Sequence, residues 1–346
     1  MVKPKIITCA GYYGTGSSAI TDLLGEFSNV HFVGDYEFRF VQDPGGIADL
    51  EYNIVQNYHR HNSGHALKRF KKNIEFLCGN RFNRTYENTF QGQFKKLTME
   101  YIDSLTAFKF KGYWHQDVID RGFLFWFIER ALDKILNRVI VPIIRGRNNI
   151  EPISIHLLRN EITYVPFSDK ELFYQKTKDY TDKLFEVANV ENKDFLMFDQ
   201  LVPPSNTDKY LRYFNNLTIF AIDRDPRDLY LLEKLIWKGS VVPVADVKDF
   251  CNWWKVTRAH LKEEKDDNQH VMRLKFEDLI YHYDETVDQI CKLLNLDRSL
   301  HVSPKTKLIP ERSIANTQMW KRYPDEEENI KHIETQLSEY CYKRFT

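Results

Sequence analysis

The chain has 346 residues, 42% of them hydrophobic, with 49 acidic and 49 basic residues. This composition supports a folded core, and the balanced charge excludes a global positive field that would gather nucleic acid, so no nucleic-acid partner is expected. No apolar run reaches the roughly 20 residues that span a bilayer, so no stable membrane insertion is expected. The five cysteines are scattered and lack a C-x-x-C pair, which indicates reduced thiols in a cytoplasmic protein.

Residues 11–18, with the sequence GYYGTGSS, form a glycine-rich loop between a predicted strand and a predicted helix. Glycines let backbone N–H groups surround an anion, and the helix N-terminus adds partial positive charge, so this pattern predicts a phosphate site. Ser17 and Ser18 add hydroxyl donors and are predicted to cap the helix. Ser17 stands where a P-loop kinase carries its lysine. The predicted contacts come from Tyr13, Gly14, Thr15, Gly16, Ser17 and Ser18.

Hydrophobic periodicity predicts alternating strands and helices along the chain. The predicted strands are 4–10, 30–34, 107–111, 138–144, 194–199, 217–223 and 270–274. The predicted helices are 17–28, about 64–78, 86–105, 119–137, 169–189, 206–214, 226–237, 246–264 and 283–294. This order predicts a single α/β domain over 1–346, a three-layer P-loop-like parallel sheet flanked by helices. Residues 35–105 are predicted to form a helical insertion over the ligand edge, and 301–346 a closing C-terminal segment.

A second anion signal follows the apolar strand at 217–222, where the chain reads D-R-D-P-R-D. Arg224 and Arg227 stand at the carboxyl end of this strand, and Pro226 opens the next helix, so the segment predicts a compact anion receptor. The same residues are compatible with an ion-pair network between these arginines and the neighbouring aspartates.

The loop without its lysine, followed much later by the R-D-P-R-D segment, resembles the sulfotransferases that use 3′-phosphoadenosine 5′-phosphosulfate (PAPS), in their carbohydrate-directed branch. Two further segments fit in the same order: residues 273–279 (RLKFEDL), with LLNL at 293–296, and the tail at 309–316 (IPERSIAN). The resemblance implies a PAPS donor and no metal. It implies that the loop binds the 5′-phosphosulfate and Arg224 or Arg227 the 3′-phosphate. It adds donor contacts from Arg312, Ser313, Trp320 and Lys321.

Two positions depart from the family pattern. The family loop commonly carries a lysine or arginine where this chain has Gly14, and a serine eight residues after the 3′-phosphate arginine, where this chain has Leu232. Another cation must therefore neutralise the donor's bridging oxygen. Lys109 and Lys111, on one face of a predicted half-buried strand, are candidates for that role, and solvated strand lysines are the alternative for each.

The acceptor side is predicted from the residues after the second strand. Carbohydrate-directed members use a glutamate or histidine there as general base, which implies Glu37 for this chain, with His65 as the second candidate. A Glu37–Arg39 surface pair is the alternative for the first residue. For the histidine cluster at 59–65, solvated loop side chains are the alternative, and a metal site lacks a neighbouring carboxylate or thiolate in the sequence.

The expected partners are a nucleotide donor and a hydroxyl acceptor, a glycan or glycan precursor, and the oligomeric state is left open. Two other functions stay compatible with the sequence. A P-loop kinase would use Asp223 near magnesium, but it would lack its lysine. A catalytically inactive homologue would bind the nucleotide without transferring its group, as the departure at Gly14 allows.

Overall fold

The computed structural model describes residues 3–79, 85–145 and 157–345. Within these ranges, five parallel strands form one sheet in the order β2-β5-β1-β6-β7. Two further strands, β3 and β4, form a separate antiparallel ribbon. The strands are β1 Lys5–Gly11, β2 Val30–Glu37, β3 Thr106–Lys111, β4 Ile162–Pro166, β5 Phe195–Asp199, β6 Leu217–Asp223 and β7 Val271–Lys275. The predicted α/β class with a parallel sheet flanked by helices is confirmed.

The helices alternate with the sheet strands as predicted, and several are short or interrupted. They are α1 Ser17–Leu24, α2 Ile47–Glu51, α3 Arg60–Leu77, α4 Thr85–Thr89, α5 Phe94–Leu105, α6 His115–Asp120, α7 Phe123–Ile135, α8 Val141–Arg145, α9 Lys170–Ala188, α10 Thr207–Leu211, α11 Pro226–Leu231, α12 Val247–Arg258, α13 Phe276–Tyr281, α14 Tyr283–Leu294, α15 Pro310–Ser313 and α16 Glu327–Gln336. π-helical turns extend three segments: Tyr52–Gln56, Leu136–Ile140 and Leu232–Trp237. Among the described residues, no helix combines the length and apolarity needed to cross a membrane.

Side-chain alternation along β1 divides the core between the two faces of the sheet. Ile6 and Ala10 point to one face, where they join an aromatic-rich cluster that includes Phe198 of β5. Ile7 and Cys9 point to the other face, which packs against α1, α13 and α14. Because both faces are covered, β1 is an almost continuous apolar run, as expected of a central parallel strand.

The connection from β2 to β5 contains α2 to α9 and the β3–β4 ribbon. After it, the chain returns to the sheet with β5 between β2 and β1. Parallel neighbours place their carboxyl ends at one edge, so Glu37, Asp199, the loop at 11–18 and Asp223 all lie at that edge.

The predicted strand at 138–144 is wrong, because these residues continue α7 through the π-helical turn into α8. The β-branched residues there favour a strand, but no strand lies beside the segment to pair with it among the described residues, and helical bonds satisfy its backbone locally. The strand at 107–111 exists, but it is exposed rather than half-buried, and it pairs with β4, which the sequence did not predict. The predicted helix at 86–105 is interrupted between α4 and α5, where Gln91 and Gly92 have positive φ.

Candidate active site

The loop at 11–18 has the geometry of an anion cradle. Tyr13, Gly14 and Gly16 have φ values of 86°, 65° and 99°, so the backbone turns through three left-handed positions before α1 begins. Glycine adopts this conformation without a steric cost, which explains two of the three residues. Consecutive turns of this kind make concave rows of N–H groups that bind anions.

Thr15 fastens the loop to the sheet. Its side chain is buried, and its hydroxyl donates to the carbonyl of Ile222 on β6 (2.9 Å) and accepts from the N–H of Tyr12 (3.1 Å). On the other side, the N–H of Gly11 donates to the side-chain oxygen of Gln200, just after β5 (3.2 Å). The loop is therefore held between the two strands that flank β1.

The inner N–H groups of the loop are available to a ligand. Within the described ranges, no hydrogen bond engages the backbone N–H groups of residues 13–18 or the hydroxyls of Ser17 and Ser18. The predicted helix cap is wrong: Gly16 is the N-cap residue of α1, and no side chain caps the helix. Because Ser17 and Ser18 follow the cap, neither hydroxyl is used to cap the helix.

Two aromatic rings stand directly against the loop glycines. A Cβ atom on Gly14 would lie 2.7 Å from the Trp237 ring and 2.8 Å from Leu229, and one on Gly16 would lie 2.6 Å from the Phe276 ring. The absence of a side chain at residue 14 is therefore also a packing requirement. Trp237 is 47% exposed, so it offers an aromatic surface beside the cradle that the sequence reasoning missed.

Arg224 links the loop to the C-terminal segment. Its guanidinium donates to the carbonyls of Gly14 (3.4 Å) and Asn316 (2.6 Å), and it lies 4.3 Å from the centre of the Phe276 ring. The side chain is buried, and its Nε has no partner among the described residues. Burial lowers the pKa of Arg224, although three neighbouring carboxylates oppose the shift, and the group stays charged at neutral pH. It thus places a positive charge beside Gly14.

Arg227 lies in the ion-pair network that the sequence left open as an alternative. It contacts Asp225 through Nη2 and Oδ2 (2.7 Å), and Glu334 through Nη1 (2.7 Å). Its guanidinium also lies 3.6 Å from the centre of the Trp320 ring. Arg227 and Trp320 therefore hold α16 and the tail against the end of β6.

Asp223, at the end of β6, is engaged by two cations. Arg258, fully buried, contacts it at 2.9 Å, and Lys275 lies at 3.7 Å. Burial raises the pKa of Asp223, but the charges of Lys275 and Arg258 outweigh it and hold the pKa below its ordinary value. Arg258 also packs between the rings of Tyr12 and Trp254, at 4.1 and 3.6 Å.

Two buried carboxyl groups lie beneath Arg224. Burial and the nearby Asp225 raise the pKa of Asp228 to about 8 and that of Glu277 to about 7. Asp228 accepts from the N–H groups of Gln318 (3.1 Å) and Met319 (2.8 Å), which fastens the tail to α11. One oxygen of Glu277 accepts from the N–H of Asp225 (2.9 Å), and the other has no described partner.

The tail residues singled out from the sequence follow one another along this fastened segment. Arg312 is exposed and Ser313 half-buried in α15, close in sequence to Asn316, which contacts Arg224. The Lys321 ammonium donates to Gln318. No described contact joins Arg312, Ser313 or Lys321 to the loop, and Arg224 makes the connection.

Glu37 reaches the ligand edge at the end of β2. Its carboxylate is 54% exposed and lies 3.5 Å from Arg39, so the predicted surface pair is present. β5 separates β2 from β1, which places Glu37 about 10 Å from the loop strand. Asp199, its paired neighbour on β5, lies next to β1 and accepts from the Cys9 thiol (2.7 Å). Burial and, less strongly, the charge of Glu37 raise the pKa of Asp199. The sequence reasoning missed this second carboxylate.

The other predicted catalytic residues lie within the β2–β5 connection. His65 is buried in α3 with its Nε2 3.0 Å from Asp120 of α6, and burial lowers its pKa. Lys109 pairs with Asp103, and Lys111 is exposed on the β3–β4 ribbon. Among the described residues, none of the three contacts the phosphate loop. The histidines do not converge either, since His59 accepts from the N–H of His61 while the His61 ring stacks on Trp114.

The similarities found to known proteins are to solved structures. No protein-family model matches the chain, and no curated sequence matches it. A sulfotransferase domain from the curacin biosynthetic pathway is 12% identical, with a TM-score of 0.38 over 97% of this chain and 98% of that one. Retinol dehydratase, in a complex with androsterone and the inactive cofactor PAP, is 14% identical, with a TM-score of 0.36. The match covers 98% of this chain and 81% of that one. The sulfotransferase STF9 from Mycobacterium avium is 10% identical, with a TM-score of 0.34. The match covers 96% of this chain and 77% of that one.

Proposed function

We propose that this protein is a sulfotransferase that moves the sulfuryl group of PAPS to an acceptor hydroxyl. The observation that carries the proposal is a lysine-free phosphate loop with unoccupied N–H groups, joined by Arg224 to the C-terminal segment. In-line transfer through a loose transition state needs positioning and charge stabilisation more than covalent chemistry from the protein. The residues at this edge supply both.

The donor site combines the loop with the end of β6. Backbone N–H groups of residues 13–18 and the Ser17 and Ser18 hydroxyls would hold the phosphosulfate. Arg224 would contribute the positive charge that residue 14 lacks, because its guanidinium already touches the Gly14 carbonyl and retains an unpartnered Nε. Arg312, Ser313 and Lys321 would approach the donor from the tail. Arg227 and Trp320 would keep that tail in place.

The acceptor would enter beside the ends of β2 and β5. Glu37 is our first candidate for the general base, and Asp199 is the second because it lies one strand nearer to the loop. A general base within reach of the acceptor hydroxyl would remove its proton as the sulfuryl group arrives. We propose a hydroxyl of a glycan or glycan precursor as acceptor, from the resemblance to the carbohydrate-directed branch alone. We also propose a cytoplasmic setting, which agrees with the five free cysteines.

The kinase alternative is less well supported by this geometry. Asp223 would have to reach a magnesium ion, yet Arg258 and Lys275 already neutralise it and its side chain is largely buried. Position 17 supplies a hydroxyl rather than the ammonium that bridges the β- and γ-phosphates in P-loop enzymes.

Transfer of labelled sulfate from PAPS to a panel of sugar, lipid and phenol acceptors tests the proposed function. Turnover with any acceptor class supports it, and the absence of transfer with retained nucleotide binding favours the inactive homologue. With an acceptor identified, Glu37→Gln is expected to lower kcat about 10²- to 10⁴-fold without loss of donor binding.

Two variants separate the base from its surroundings. Arg39→Gln removes the ion-pair partner of Glu37 and leaves the carboxylate, so it is expected to retain most of the turnover. Near-normal turnover of Glu37→Gln, with a large loss in Asp199→Asn, would move the role to Asp199.

A further inference from the structure

A long apolar helical arm stands in the connection between β2 and β5. α7 continues through the π-helical turn into α8, so the arm covers Phe123 to Arg145, and α7 contains no buried residue. Large apolar side chains are exposed along it: Phe123 75%, Leu124 71%, Phe127 55%, Ile128 44%, Ile135 52% and Val139 51%. Contiguous exposed apolar surface of this kind marks an interaction site.

Acidic and basic side chains lie on different sides of the helical arm. Glu129 and Asp133, four residues apart, are half-buried, and Glu129 accepts from the N–H of Leu157. Arg130, Lys134 and Arg138, also four residues apart, are exposed. Residues at this spacing share one side of a helix, so the acidic row faces the protein and the basic row faces outward. Among the described side chains of the arm, the outward surface therefore carries positive charge only.

We propose that this arm docks the protein on an anionic lipid bilayer surface, lying in the interface without crossing it. Apolar and aromatic side chains bordered by exposed arginine and lysine are typical of interfacial helices, whose apolar side chains enter the acyl boundary while the cations meet anionic headgroups. The Arg130 guanidinium lies 5.4 Å from the centre of the Trp126 ring, which keeps one cation beside the apolar surface.

A second copy of the chain fits this surface less well. A two-fold symmetric contact brings the same patch of each subunit together, so the rows of Arg130, Lys134 and Arg138 would meet. Like charges at such a contact repel, whereas a bilayer containing phosphatidylserine offers the opposite charge along its whole surface. The observed sorting of charge therefore favours the lipid.

Flotation of the full chain with vesicles tests the proposal. We expect binding to vesicles that contain phosphatidylserine, weak binding to phosphatidylcholine alone, and release at high salt. The triple variant Arg130→Gln, Lys134→Gln, Arg138→Gln is expected to bind on the order of a hundredfold more weakly, about fivefold for each charge. Lys96→Gln, Lys248→Gln, Lys292→Gln removes the same charge from exposed positions elsewhere and is expected to bind like the wild type.

The apolar part is tested with Leu124→Ser, Ile128→Ser, two exposed positions whose replacement leaves the core intact. This variant is expected to lose vesicle binding with an unchanged melting temperature. Equal binding by the two triple variants would overturn the proposal, as would no binding by the wild type. A concentration-dependent dimer that this double variant abolishes, without any vesicle binding, would assign the arm to a second copy instead.

Discussion

At the scale of single residues, the phosphate loop depends on positions where a side chain does not fit. Gly16 has a φ of 99° and would place a Cβ atom 2.6 Å from the Phe276 ring. The same contact brings Phe276 over the loop and under the Arg224 guanidinium. Gly16 therefore supports both the backbone conformation of the loop and the packing of Phe276 against it.

Replacing Gly16 with alanine is expected to weaken binding of 3′-phosphoadenosine 5′-phosphate (PAP) more than it weakens the fold. The left-handed conformation costs an alanine about 1–2 kcal/mol, and the shift of Phe276 would distort the cradle as well. Gly92→Ala is the matched control, because Gly92 also has positive φ but a Cβ atom there would meet nothing within 4 Å. Titration calorimetry with PAP and thermal melts of both variants check this. Equal loss of PAP affinity in both would show that Gly16 has no special role in the site.

At the scale of elements, the C-terminal segment is attached through buried ionisable groups. The carboxyl group of Asp228 accepts hydrogen bonds from the backbone N–H groups of Gln318 and Met319. The carboxyl group of Glu277 accepts one from the backbone N–H of Asp225. Both carboxyl groups are buried near Asp225, so burial and repulsion from the Asp225 charge disfavour their ionised forms. The attachment of the tail is thus coupled to protonation near neutral pH.

The contribution of Asp228 and Glu277 to the free energy of unfolding is expected to fall as the pH rises from about 5 to 8.5. The pKa values of Asp228 and Glu277, about 8 and about 7, exceed those of unfolded chains, so the folded state holds protons that the unfolded state has released. Their stabilising contribution is complete below about pH 4. It is lost as the pH rises through the two folded-state pKa values, and each group lowers the free energy of unfolding by no more than about 1.4 kcal/mol per pH unit. Urea unfolding across this range measures the slope.

Glu277→Gln should make that slope shallower, because the amide keeps the acceptor for the Asp225 N–H and cannot titrate. Glu328→Gln, at an exposed position in α16, is the control and should retain the wild-type slope. An unchanged slope in Glu277→Gln would contradict the pKa assignment.

At the scale of the whole molecule, local patterns predicted the two strand–turn–helix units of the candidate site, and long-range packing determined the rest. The loop at 11–18 and the arginines after β6 could be read because each lies within one strand–turn–helix unit. The placement of Asp199 beside β1 could not be predicted from the sequence, since its partner Cys9 lies 190 residues away along the chain. Arg258 is similar: Trp254 lies one helical turn before it in α12, but Asp223 and Tyr12 reach Arg258 only through folding.

The β2–β5 connection was the least predictable part for the same reason. Lys109 and Lys111 show the alternation of a half-buried strand, yet the only described partner of that strand is β4, which leaves it exposed. The β-branched run at 138–144 has strand propensity but continues a helix. In both segments, the secondary structure and burial depended on whether a neighbouring strand was available for pairing. A local sequence pattern does not contain that information.

The measurement that tests the proposed function most directly is a thermal-shift titration of the full chain with PAP and with ATP, each with and without magnesium. A sulfotransferase site predicts a rise in melting temperature with PAP alone, growing with ligand concentration and independent of magnesium. Arg224→Gln should reduce that rise, while Arg159→Gln, at an exposed position, should leave it unchanged. Stabilisation only by ATP with magnesium, and none by PAP, would contradict the proposal and identify a kinase-like site.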